Sequence, residues 1–140
     1  MDFNLLKEFI QQGPLTVHVN GDCMNNSLPA GSDARLEGCS FYWPGEVVAF
    51  RRGANEIVSH RFLGYFPGRR GWLALTRADN SHKADNPVAL DSVLGRVTHV
   101  NGVSFRPGPG YRLNAAIGWF PAATRLVITA LRYQVTRMTL

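Results

Sequence analysis

Fourteen glycines and eight prolines in 140 residues impose many turns. Glycine supplies positive φ, while proline fixes φ and removes a backbone donor. A chain interrupted so often accommodates short strands better than a helical bundle, so a mainly β fold is expected. With 45% hydrophobic and 18% charged residues, it can close one core over residues 1–140 without metal or disulfide support. This balance excludes disordered, collagen-like and disulfide-scaffold classes.

The pattern places the elements. Asp2 can cap a helix within residues 1–13, with Phe3, Leu6, Phe9 and Ile10 at helical spacing and Gly13-Pro14 ending it. Residues 15–106 read as a β core. Leu15 to Asn20 alternates with period two, Val47 to Phe50 is a buried run, and Glu56 to Phe66, Trp72 to Thr76 and Ser92 to Asn101 read as strands. Asn101-Gly102 is a hairpin turn. Pro107 to Gly110 reads as a break before a C-terminal helical segment, 113–140, with Pro121 in its first turn. There Arg125, Thr129, Arg132 and Thr136 face away from Leu126, Val127, Ala130, Leu131 and Met138. Such an amphipathic helix packs on the sheet, or makes peripheral contact with a membrane surface, its arginines in water.

The net charge of +5 arises from thirteen arginines and only two lysines, Lys7 and Lys83, against ten acids. Neither a basic run nor an aromatic signature of RNA binding is present, so no nucleic-acid partner is expected. Two cysteines do not make a secreted scaffold, and the first twenty residues lack a basic n-region and cleavage pattern. Apolar stretches are broken before they reach membrane-spanning length. These features point to a soluble or peripheral protein with reduced thiols in the cytoplasm. Cys23, Cys39, His18 and His82 lack metal-ligand spacing, so neither a metal nor another cofactor is expected.

Three stretches carry chemistry. Gly21-Asp22-Cys23-Met24 lies where a strand gives way to a turn, a place that can present a thiol nucleophile beside exposed amides. Ser59-His60-Arg61 supplies an imidazole that could take the thiol proton. Thr76 to Asp85 supplies Asp79 and Asp85, either able to stand behind that imidazole and hold its tautomer. Cys39 has no such surroundings and reads as a structural thiol.

In order, these stretches resemble the boxes of the type I signal peptidases and LexA-like peptidases. Gly21-Asp22-Cys23-Met24 with Ser27 to Asp33 is similar to their Gly-x-Ser-Met and Thr-Leu-Pro-x-Gly-Asp boxes, and Pro44 to Phe50 is similar to their Gly-Asp/Glu-Ile-Val-Val-Phe strand. Val58 to Phe62 resembles the Val-His-Arg-Val segment of the endoplasmic reticulum and archaeal branch. Thr76 to Asp85 resembles its Thr-Lys-Gly-Asp-Asn-Asn…Asp box, and Val93 to Val97 its Val-Val-Gly-Lys-Val strand. The likeness spans about residues 17 to 100.

The resemblance implies a signal-peptidase/LexA-like β fold of short, strongly bent sheets. It puts Cys23 at the nucleophile, His60 at the general base and Asp85 at the carboxylate that orients it. Asp79 would be a loop-fixing residue, and the Cys23 and Met24 backbone would support the oxyanion. The bacterial Ser/Lys dyad has no counterpart, since neither lysine lies on the strand that would carry it. Cys replaces the family's Ser, and Gly21 stands where many members carry a hydroxyl. The implied activity is a hydrolase that removes a leader or N-terminal segment from a peptide or protein bound as an extended strand, by Cys-His-Asp acyl transfer. The alternative is a peptide-binding module that keeps the fold without catalysis. A LexA-like regulator would need a DNA-binding domain ahead of Cys23, where only about twenty residues stand.

Overall fold

The structure, a computed structural model, describes residues 2–24, 27–54 and 56–139. Helix α1 (Phe3–Gln12) begins as its cap dictates: Asp2 is extended, and its carboxylate accepts the Asn4 N–H at 3.0 Å. Gly13 closes the helix by donating its N–H to the Phe9 carbonyl. Phe3 and Ile10 are buried, whereas Phe9, expected on the same face, is half exposed.

Eight strands follow among the described residues: β1 (Leu15–His18), β2 (Asp33–Glu37), β3 (Val47–Arg52), β4 (Glu56–Gly68), β5 (Gly71–Arg77), β6 (Val88–Ala89), β7 (Val93–Val100) and β8 (Val103–Ser104). They form one antiparallel sheet in the order β1-β2-β7-β3-β4-β5-β6, with β8 folded back on β7. The protein is therefore mainly β, a curled half-barrel with a short N-terminal and a longer C-terminal helix. Register shifts at Arg35/Leu36, Ala49/Phe50 and Phe62/Gly64 supply the curl, because a bulge bends its strand and sharpens its twist. Asn101 and Gly102, both at positive φ (50° and 78°), make the β7–β8 turn.

Both faces of the sheet are covered around β3, which accounts for its unbroken apolar run. Val47 and Ala49 pack with Phe3, Ile10, Met24, Leu28, Leu36 and Leu94 on one side. Val48 and Phe50 pack with Tyr42, Phe62, Ala74 and Val93 on the other.

The C-terminal helix departs from expectation. Helix α2 (Pro109–Thr139) starts inside the Pro-Gly cluster rather than near Leu113, and Pro121 lies within it. Pro109 is accommodated because the first helical turn needs no N–H from it. Ala115 and Ala123 pack with Leu63 and Leu75, joined by Trp119, Ala122 and Leu126. Trp119 donates its indole N–H to the Tyr65 carbonyl at 2.8 Å. Only glycine fits at position 64, since a Cβ there would lie 2.5 Å from Trp119 Cδ1. Of the apolar set expected to face the sheet, Leu126 alone does so. Val127, Leu131 and Met138 are exposed, as is Ala130. Among the described residues no helix is long and apolar enough to cross a membrane.

Candidate active site

Cys23 and Met24 begin a tight turn after β1. The Ser27 and Leu28 N–H groups both donate to the Met24 carbonyl, at 2.9 and 2.6 Å. The buried Met24 and Leu28 side chains root that turn in the core. The loop after β5 grips it from outside: Asn80 N–H donates to the Cys23 carbonyl at 3.2 Å, and Asp79 N–H to Met24 Sδ at 3.2 Å. Thus the Met24 side chain is an anchor. Any support for an oxyanion from this residue must come from its backbone.

His60 is placed by β4, opposite Val48 of β3. β5 pairs with β4 only from Arg61 onward, so that among the described residues Glu56 to His60 have no partner strand on that side. The Cys23–Met24 turn rests against this open edge, with the Cys23 thiol donating weakly to the Ser59 carbonyl at 4.0 Å. His60 is buried, with Phe50 edge-on at 5.7 Å. Its Nδ1–H donates to Asp85 Oδ2 at 2.5 Å, and Thr76 Oγ1–H donates to the same oxygen at 2.7 Å. Asp85 is held in turn by its own N–H, which reaches the Thr76 carbonyl at 2.8 Å. With Nδ1 engaged as a donor, the neutral ring keeps its lone pair on Nε2, the tautomer a general base requires.

Asp79 does not touch this pair. It accepts from Arg61 Nε at 3.1 Å and Nη2 at 2.6 Å, a bidentate arrangement. Arg61 Nη2 also donates to Ser27 Oγ at 2.6 Å, and Nη1 to the Gly45 carbonyl at 2.8 Å. Tyr111 of α2 stacks on the guanidinium, 4.3 Å from Cζ. This largely buried cluster ties the Cys23–Met24 turn, the Asp79 loop, the turn before β3 and α2 to one side chain. The sequence reading missed Arg61. The available signal was an arginine flanked by His60 and Phe62 in a strand, since a cation buried there demands partners.

Cys23 and His60 share the lining of a cavity of about 470 Å³. Its interior is apolar, with Leu6 and Ile10 from α1, Val17 from β1, and Leu36 and Leu94. At its rim Arg52 and Glu56 form an exposed ion pair at 2.8 Å, worth little to stability. Lys7 lies outside this cavity, its ammonium donating to the Asp91 carbonyl. Among the described residues no group of three His, Cys, Asp or Glu side chains could hold a metal ion. Cys39 is half-buried against the Tyr42 cluster.

Burial pushes the Cys23 thiol above its ordinary value; Asp22 and Asp85 add to the effect, while its own amide and Arg52 oppose it. Burial thus favours the thiol over the thiolate. Because the thiolate fraction grows as pH climbs toward a raised pKa, iodoacetamide labelling of Cys23 should rise about tenfold per pH unit from 7 to 8. It should still be rising above about 8.5, the ordinary thiol value. A labelling rate already flat below pH 7 would show a preformed thiolate instead. No protein-family model and no curated protein matches the chain.

Proposed function

We propose that this chain is a signal-peptidase-like cysteine endopeptidase of the signal-peptidase/LexA-like fold, removing a leader or N-terminal segment from a peptide or protein. The observation that carries the reading is the Thr76–Asp85–His60 hydrogen-bond line, running into the cavity that Cys23 also lines. His60 Nε2 takes the Cys23 proton, and sulfur bonds to the substrate carbonyl carbon. The C–N bond then breaks, the amine leaving with the proton from Nε2. Water, deprotonated by the same nitrogen, hydrolyses the thioester and restores the thiol. Asp85 stabilises the imidazolium formed in each half-reaction. The oxyanion would be met by backbone N–H groups of the Cys23–Met24 turn.

Two strand edges support an extended substrate. Among the described residues β1 pairs only with β2, and Glu56 to Ser59 of β4 have only β3 beside them. Residues of both segments line the cavity. A peptide laid between them gains main-chain hydrogen bonds while seating an apolar side chain in the interior. No cofactor enters this chemistry. The substrate would be met in the cytoplasm or at a membrane surface.

The second reading, a peptide-binding module without catalysis, draws on the raised thiol pKa. Peptide chloromethyl ketones separate the two. One bearing an apolar residue next to the reactive carbon should alkylate Cys23 and spare Cys39, as read by peptide mass mapping, and Asp85→Asn should slow the reaction sharply. Equal labelling of both thiols, or a rate indifferent to Asp85, would favour the binding module.

A further inference from the structure

Helix α2 has two apolar faces, and the sheet covers only one. Ala115, Trp119, Ala122, Ala123 and Leu126 meet the body. Opposite them Leu113, Ile117, Phe120, Val127, Leu131, Val135 and Met138 follow one another at intervals of four, three, seven, four, four and three residues. That spacing aligns them along a single stripe. All are exposed, from 46% at Val127 to 87% at Met138, and Ile128 beside them is 45% exposed. An apolar stripe of this length, interrupted at Thr124, is unusual on a folded protein and marks a site of association.

We propose that this stripe docks α2 in the plane of an anionic phospholipid bilayer. Charge decides the occupant. Residues 1–91 carry nine basic and ten acidic side chains, a net of −1, whereas residues 92–140 carry six arginines and no acid. The protein's excess positive charge thus belongs entirely to its C-terminal part, and α2 itself holds Arg112, Arg125, Arg132 and Arg137 without one carboxylate. On the helix, Arg125 and Arg132 flank one side of the stripe and Arg137 the other. Arginines so placed reach anionic headgroups while the stripe enters the acyl boundary. A second copy packed along the same stripe would bring like charges together, with no acidic residue on either helix to offset them. The helix cannot span the bilayer, so it lies along the surface. This inference stands apart from the catalytic reading and uses none of its residues.

Flotation of the full chain tests it, with vesicles of phosphatidylglycerol in phosphatidylcholine against phosphatidylcholine alone, at 0.15 M salt. The protein should float with the anionic vesicles and lose binding as salt increases. Arg125→Gln with Arg132→Gln should weaken partitioning about thirtyfold. Leu131→Gln with Val135→Gln should weaken it about a hundredfold. All four side chains are exposed, so thermal unfolding should leave both variants matched to the parent. Failure to float, or flotation unchanged in either variant, overturns the proposal. A parent that sediments as a dimer, becomes monomeric in the Leu131/Val135 variant and does not float would assign the stripe to a second copy.

Discussion

Cys23→Ala is expected to lower peptide cleavage by about 10⁴-fold or more, the scale on which removing the nucleophile disables a triad. On the proposed mechanism the step lost is the covalent one: without sulfur no thioester would form, and the Thr76–Asp85–His60 line would have no proton to collect. Folding should survive, because Cys23 is only half-buried and its turn is held by Met24, Leu28 and backbone bonds to Asn80. Mass spectrometry of the products measures the cleavage, and thermal unfolding checks the fold. A Cys23→Ala protein that cleaves at one hundredth of the parental rate or faster would reject the nucleophile assignment. Cys23→Ser should fall between the two, since a hydroxyl is harder to deprotonate than a thiol.

Arg61→Ala should cost about 3–5 kcal/mol, because it leaves the largely enclosed Asp79 carboxylate without its cation. Its guanidinium meets both carboxylate oxygens, Ser27 Oγ and the Gly45 carbonyl, so all must find new partners together. For a chain of this size the loss corresponds to a midpoint lowered by about 10–15 °C in thermal denaturation. Replacing the pair together, Arg61→Met with Asp79→Leu, should recover much of that loss, since an apolar pair leaves no charge uncompensated. A single substitution costing under about 1 kcal/mol would mean the network tethers nothing. On the proposed mechanism cleavage should fall with stability, as the same side chain holds Ser27 and the Asp79 loop around the Cys23–Met24 turn.

The sequence located the candidate chemistry better than it located its supports. Cys23, His60 and Asp85 were legible as residue types at the ends of predicted elements, in an order that resembles known boxes. The His60–Asp85 contact depends on register: β5 pairs with β4 at Arg61↔Arg77, and the loop then returns until Asp85 bonds Thr76. Arg61 went unread because its four partners, Ser27, Gly45, Asp79 and Tyr111, lie on four separate segments, none adjacent to it in sequence. The Pro-Gly cluster at 107–110 signals irregular backbone, yet the same residues also start a helix, and only the surrounding packing decides which. Periodicity in α2 showed an apolar face without showing what covers it. Two such faces exist, and the sheet takes one.

Local physics let the sequence by itself determine the short strands, the Asp2 cap, the Asn101-Gly102 turn and the mainly β character. Capping, pleat alternation and positive φ involve neighbours within a few residues. Only the tertiary structure decided which imidazole nitrogen is engaged, that burial raises the Cys23 thiol pKa, where the apolar cavity opens and how much of α2 remains uncovered. These depend on burial and electrostatic fields summed over α1, β1, β3, β4 and the Asp85 loop, which meet in space but lie far apart along the chain.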